Sequence, residues 1–302
     1  MPIGLAIARI VACATVTFLG FAHAQPAVRA QPSTPAHWPR QAMSPAQAMP
    51  PPLIIAHRGA SHDAPENTLA AFKLAWEQGA DGIEGDFRLS ADGEVVCVHD
   101  AEMERTAGES MAVEQTALAE LQQMDVGSWK ADCFATERTP TLRQVIATVP
   151  SGKYLFVELK CGPEIVEPTA EVLEDSSLNP QQVVLISFDA EVIAACRRRL
   201  PEYPTQWLTK YKRTLSGWSP NASQAISQLQ ACGAAGLGCK AEQKCFDASF
   251  IRQLNAAGFN DWGVWTVDDP AIARYYHELG TWSITTNRPG WLREQLALPA
   301  AE

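Results

Sequence analysis

Gly82-Ile83-Glu84-Gly85-Asp86-Phe87-Arg88 is the stretch on which the fold turns. Its apolar and glycine residues read as a strand. Alternation along a strand sends Glu84 and Asp86 to one face, two carboxylates side by side among non-polar neighbours. The same spacing returns in Tyr154-Leu155-Phe156-Val157-Glu158-Leu159-Lys160, where Glu158 and Lys160 share a face. Working outward, short apolar runs recur at Leu53–His57, Val183–Phe188, Thr205–Leu208, Ala235–Cys239, Trp262–Val267 and Trp282–Thr286. Helical periodicity fills the intervals, clearest at Asn67–Gln78, Leu142–Val149, Ile165–Leu173, Ala190–Leu200, Ala222–Leu229, Ala248–Ala257 and Pro270–Leu279. Eight strands, each followed by a helix, predict a (β/α)8 TIM barrel. Gly79, Gly233, Gly258 and Gly280 stand where helices of that register should stop.

The second unit departs from strict alternation. Ala91-Asp92-Gly93 is a hairpin signal, and Val95-Val96-Cys97-Val98-His99 follows as a returning strand. From about residue 100 to about residue 139 the chain is polar and irregular, which predicts a small insertion after the second strand.

The barrel accounts for residues 53–302. Residues 1–24 hold an apolar run, Ile10 to Phe21, ending in Ala22-His23-Ala24, and read as a cleavable signal peptide cut after Ala24. Residues 25–52 are a Pro/Ala-rich spacer. The expected location is therefore periplasmic or secreted, with no stable membrane insertion. Of the eight cysteines, seven follow the signal, and an oxidising compartment would permit disulfides. Cys232, Cys239 and Cys245 lie close in sequence without a nearby histidine or a CxxC spacing. A local disulfide is expected there rather than zinc, its pairing open.

The formal net charge of −10 becomes −11 once Arg9 leaves with the signal, and no Lys/Arg cluster offsets it. Such a chain is a poor match for nucleic acid or an anionic membrane surface. Any phosphate it handles must be held locally.

Glu84, Asp86 and Glu158, converging at the C-terminal mouth of a barrel, make a hard-oxygen set suited to a divalent metal, Mg²⁺ or Ca²⁺. Structural ion pairing is the alternative. His57 ends the first strand and His99 ends the second unit's hairpin. Imidazoles at those positions suit proton transfer in phosphodiester cleavage. Arg58 offers a planar fork for phosphate or, alternatively, a partner for a mouth carboxylate; Lys160 offers a point charge. Phe188 and Trp265, at strand ends, either line a pocket for substrate or pack in the core. Pro65-Glu66-Asn67-Thr68 reads first as a helix start. His62 and His277 read as surface residues.

Taken together, His57-Arg58-Gly59-Ala60, Pro65-Glu66-Asn67-Thr68, Glu84-Gly85-Asp86, Asp92-Gly93 and His99-Asp100 resemble the glycerophosphodiester phosphodiesterases, relatives of the phosphatidylinositol phospholipases. Further matches follow in order at Arg105-Thr106, Pro140-Thr141-Leu142, Glu158-Leu159-Lys160, Ser187-Phe188, Trp265-Thr266-Val267 and Thr286-Asn287-Arg288-Pro289. The resemblance implies metal ligands at Glu84, Asp86 and Glu158, acid–base histidines at His57 and His99, and phosphate contacts at Arg58 and Lys160. It implies hydrolysis of a small-molecule glycerophosphodiester to glycerol 3-phosphate and an alcohol. Trp282-Ser283-Ile284 departs from the family's usual small-residue start of the last strand, which leaves the packing near Trp282 open.

Two other readings remain at this point. One keeps the machinery and changes the substrate, to a lysophospholipid or a phosphoinositide-type headgroup. The other is a non-catalytic scaffold binding envelope glycerophosphate, which would have no use for two acid–base histidines.

Overall fold

The computed structural model describes residues 50–298, apart from Ser216. The signal peptide and nearly all of the spacer lie outside the described residues. Eight parallel strands form the barrel: β1 (Leu53–His57), β2 (Gly82–Leu89), β4 (Tyr154–Leu159), β5 (Val183–Ser187), β6 (Thr205–Thr209), β9 (Gly236–Lys240), β10 (Asp261–Trp265) and β11 (Ser283–Thr286). The sheet runs β1-β11-β10-β9-β6-β5-β4-β2 and closes through β1 on β2, where His57 pairs with Glu84. The expected (β/α)8 architecture is present, with every expected strand within two residues at either end. β3 (Val95–Cys97) returns antiparallel on β2, as the Ala91-Asp92-Gly93 turn predicted.

Eight helices follow the barrel strands: α1 (Leu69–Glu77), α4 (Leu142–Ile146), α5 (Val166–Glu174), α6 (Ala190–Arg199), α7 (Ala222–Cys232), α8 (Ala248–Ala256), α9 (Pro270–Glu278) and α10 (Pro289–Gln295). Each of α6 to α9 starts with Asn or Asp capping a free backbone N–H, the sequence signal that makes these boundaries sharp. The insertion carries the short helices α2 (Glu104–Ala107) and α3 (Leu118–Leu121) around its own small core of Val96, Val98, Met103, Val113, Leu121 and Val126.

Strand alternation divides the side chains. Ile54, Ala56, Ile83, Leu155, Val157 and Leu185 are fully buried and join the clusters that include helix residues. Their neighbours Ile55, Phe156, Val184, Ile186 and Leu208 form a separate buried cluster inside the barrel. Trp282 belongs with that inner group: its ring lies 5.9 Å from Tyr154 and 5.7 Å from Phe156. The bulky start of the last strand is thus accommodated by aromatic packing.

Three details differ from the sequence reading. Helix α1 begins at Leu69, not Asn67, because Asn67 takes a left-handed φ of 58° and Thr68 caps the helix through Ala71 N. A hairpin, β7 (Lys212–Thr214) with β8 (Gly217–Ser219), fills the β6–α7 connection and went unread. The expected local disulfide is absent: Cys232, Cys239 and Cys245 are all free thiols. Cys232 ends α7 with its thiol toward Leu229 O, whereas Cys239 lies on β9 and takes a hydrogen bond from Tyr211 Oη at 3.2 Å. Helix and strand placement thus puts Cys232 and Cys239 on different elements.

Candidate active site

The three carboxylates come together because two neighbouring strands, β2 and β4, carry them in phase. β2 pairs with β4 so that Asp86 faces Glu158, and Glu84 lies two residues below Asp86. Ligand oxygens from Glu84, Asp86 and Glu158 all lie within 4.8 Å of one another. The three residues are 3%, 1% and 8% exposed, so their charge must be compensated inside the protein.

Arg58 and Lys160 supply part of that compensation. Arg58 sits at φ 55°, a left-handed conformation that turns its own N–H onto Glu84 Oε2 at 2.9 Å. Its guanidinium reaches Asp86 Oδ2 at 3.1 Å and Glu66 Oε1 at 2.8 Å. Lys160 Nζ lies 2.8 Å from Glu158 Oε1 and 3.2 Å from Asp86 Oδ1. Arg58 therefore does pair with a mouth carboxylate, the alternative its sequence context allowed. Asn67, freed from α1 by its left-handed φ, clamps Asp86: its Nδ2 donates to Oδ2 at 2.9 Å, and its Oδ1 accepts the Asp86 N–H. Glu66 extends the network to Arg105, whose Nε donates to Asp100 at 2.6 Å.

Within this ion-pair network the carboxylates are Glu66, Glu84, Asp86, Asp100 and Glu158, and the cations are Arg58, Arg105 and Lys160. Fully ionised, it carries two uncompensated negative charges. The carboxylates respond accordingly. Burial and the charge of Asp86 push Glu84 up to about 8 and Glu158 up to about 7. Burial would raise Asp86 too, but Lys160 and Arg58 outweigh it and hold Asp86 down at about 2. Glu84 Oε1 is buried without a hydrogen-bond partner. A donor set of three hard oxygens, a charge deficit of two and an orphaned buried carboxylate oxygen fit a divalent cation.

The two histidines line the same cavity, of about 620 Å³, with Glu84, Glu158, Arg58 and Lys160. They are oriented differently. His57 Nδ1 lies 2.7 Å from Asn287 Oδ1. That amide is itself held, with Nδ2 donating to Asp268 Oδ2 at 2.6 Å and the Asn287 N–H donating to Asp268 Oδ1 at 2.8 Å. With the amide nitrogen committed to a carboxylate, the amide oxygen can only accept, so His57 Nδ1 carries the hydrogen and Nε2 is left as a base. His99 Nδ1 instead lies 2.6 Å from Asp100 Oδ1. Burial, then the charge of Arg58, lowers the pKa of His57; burial also lowers that of His99, against the opposing pull of Asp86 and Asp100.

Residues 57–291, from the histidine that ends β1 to the start of the last helix, match the Glycerophosphoryl diester phosphodiesterase family. The chain belongs to that family. YhdW of Bacillus subtilis, assigned by name to the glycerophosphodiester phosphodiesterases, is 33% identical over 243 residues, covering 79% of this chain and 96% of its own. A Caldanaerobacter subterraneus glycerophosphodiester phosphodiesterase is 36% identical over 154 residues, 49% of this chain and 63% of its own. Among solved structures, an Oleispira antarctica phosphodiesterase in complex with the product sn-glycerol-3-phosphate superposes with a TM-score of 0.73 at 29% identity. The match covers 82% of this chain and 97% of the other. The protein is an enzyme, a phosphoric diester hydrolase.

In this phosphodiesterase all nine residues singled out from the sequence meet at the mouth. Phe188 and Trp265 line the cavity, their rings 5.5 Å apart edge to face, with Phe188 40% exposed; the core-packing alternative does not apply to Phe188. His62 is exposed, as expected. The sequence reading assigned no role to Asn287 or Asp268, nor to the cavity-lining Arg88, Lys210 and Lys240. A usable signal existed for the last three: each continues the inward-facing alternation of its strand by one step. Among the described residues no helix is long and apolar enough to cross a membrane.

Proposed function

We propose that the enzyme hydrolyses glycerophosphodiesters to glycerol 3-phosphate and an alcohol, with a divalent metal at Glu84, Asp86 and Glu158 and with His57 and His99 as its acid–base pair. The observation that carries this reading is the convergence of three buried carboxylates and two differently oriented histidines on one cavity. A bound Mg²⁺ or Ca²⁺ would supply charge neutralisation at the phosphate and lower the pKa of a coordinated hydroxyl.

The protein's own groups divide the remaining work. His57, oriented by a neutral amide and free at Nε2, takes the proton from the attacking hydroxyl. That hydroxyl belongs to water or to the substrate's own glycerol. His99, held at Nδ1 by Asp100, protonates the leaving alkoxide from Nε2. Arg58 and Lys160, positioned by the carboxylates, present cationic groups to the phosphoryl oxygens. Trp265 and Phe188 pack against the non-reacting carbons and keep bulk water from them.

The test is to incubate the enzyme with glycerophosphocholine and measure glycerol 3-phosphate, with EDTA and then with Mg²⁺ or Ca²⁺ restored. Metal-restorable release supports the whole reading. Release that EDTA does not touch removes the metal from it. No release from folded, metal-loaded protein directs the search to lysophospholipids.

A further inference from the structure

Two lysines at the mouth have no part in the chemistry above. Lys210 follows β6 by one residue, and Lys240 is the last residue of β9. Lys210 continues the inward series Gln206, Leu208; Lys240 continues Gly236, Gly238. Both line the cavity and both are exposed. The β6–β9 register pairs Gln206 with Gly236 and Leu208 with Gly238, so one further step sets Lys210 beside Lys240.

Two ammonium side chains from neighbouring strands that share one cavity repel each other, and an anion between them would relieve that repulsion. Among the described residues, neither lysine has a carboxylate within ion-pairing distance; the contact of Lys210 is with the Phe188 ring, at 5.9 Å. The chain has 34 acidic residues and a net charge of −10, yet the acidic residues lining this cavity, Glu84, Asp100 and Glu158, all belong to the network described above. Residues 209–219, which include the β7–β8 hairpin, contain Lys210, Lys212 and Arg213 and no Asp or Glu. The β6–α7 segment of the rim is cationic in an acidic protein.

The barrel order gives the pair its orientation. Around the closed sheet, β6 and β9 stand four places from β1 and β2, directly across from the strands that carry His57, Glu84 and Asp86. A phosphodiester held on the carboxylate side extends one arm across the cavity to the lysines, past Phe188 and Trp265. The glycerol arm is uncharged and has no need of two cations. A choline or ethanolamine arm would be repelled there.

We infer that Lys210 and Lys240 form an anion subsite for the alcohol half of the substrate, and that the preferred substrates are glycerophosphodiesters whose alcohol carries a second phosphoryl group. This rests on the hydrolase reading above and narrows its substrate class.

The experiment measures kcat/KM of the full chain, loaded with divalent metal, on two substrates, reading release of glycerol 3-phosphate. One is glycerophosphocholine. The other is glycerophosphoglycerophosphoglycerol, whose alcohol half carries a second phosphodiester. The wild-type enzyme is expected to favour the second on the order of tenfold or more, with the preference shrinking as salt is raised. Lys210→Met and Lys240→Met should each lower that ratio roughly tenfold, chiefly through KM. Lys240→Glu should reverse it, and Lys210→Arg should keep it. A ratio unmoved by these variants, or equal losses on both substrates, overturns the subsite and leaves the hydrolase reading standing. If the wild-type enzyme releases glycerol 3-phosphate from neither substrate, the hydrolase reading falls and the subsite with it.

Discussion

His57 Nδ1 and Asn287 Oδ1 lie 2.7 Å apart, although 230 residues separate them in the chain. The bond spans the seam of the barrel, because β1 and β11 are neighbours in the closed sheet. Asp268 secures the far end with three accepted hydrogen bonds, from Thr286 Oγ1, Asn287 N and Asn287 Nδ2. The proposed base is thereby held in one tautomer by a carboxylate it does not touch.

Asp268→Asn should therefore lower kcat by roughly tenfold to a hundredfold with little change in KM, since the Asn287 amide loses the partner that fixes its direction. The direct check is the ring-nitrogen NMR signature of His57, which should change from one tautomer to a mixture. An unchanged spectrum with reduced kcat would show that Asp268 acts by another route.

The two histidines should respond differently to the leaving group. On a glycerophosphodiester with an alkyl alcohol, His57→Ala and His99→Ala should each cost about 10²–10⁴ in kcat. On a p-nitrophenyl ester, whose leaving group needs no proton, His99→Ala should recover most of the loss and His57→Ala should not. Equal recovery for both variants would refute the assignment of base and acid.

Stability of the metal-free enzyme should fall as pH rises through the neutral range. Glu84 and Glu158 are pushed up to about 8 and about 7, from an ordinary value of 4.5. A raised carboxylate stabilises the fold below its unfolded pKa and loses that contribution as pH climbs through the folded value. Asp86 works in the other direction, but its window lies between 3.8 and about 2. Below pH 6.5 the lowered pKa values of His57 and His99 act in the opposite sense, so thermal melts in EDTA should show Tm decreasing from pH 6.5 to pH 8.5, and Mg²⁺ or Ca²⁺ should restore it at the upper end. A Tm that holds or rises across this range in EDTA would mean the carboxylates are compensated without a cation.

Gly59 should not tolerate a side chain. It follows His57 and Arg58 at φ 80°, and a Cβ there would lie 2.6 Å from the Ala71 carbonyl carbon in α1. Gly59→Ala should cost about 2 kcal/mol or more, from left-handed strain and backbone overlap together. Urea melts measure it; a cost near zero would mean that α1 can move away freely.

Much of this was readable in the linear chain. The barrel was, because a parallel strand buried on both faces is a short apolar run and most of its helices announce themselves by their period and a cap, as at Asp247 and Asp269. So were Glu84, Asp86 and Glu158, since two-residue periodicity within one strand is a local property that needs no partner to be seen. The signals failed where the backbone left regular geometry. Asn67 looked like the start of a helix, and only its left-handed turn, with Asp86 waiting across the loop, makes it a clamp.

Sequence by itself determined which residues share a strand face and therefore which point into the barrel. Closure of the sheet decided what they meet there. It put Asn287 against His57, Lys210 beside Lys240 and that pair across from Glu84, and it kept Cys232 and Cys239 on different elements. Neighbourhoods within a strand follow from the covalent chain and its alternation. Neighbourhoods around the ring follow from strand order and register, which the folded sheet alone sets through its hydrogen bonds.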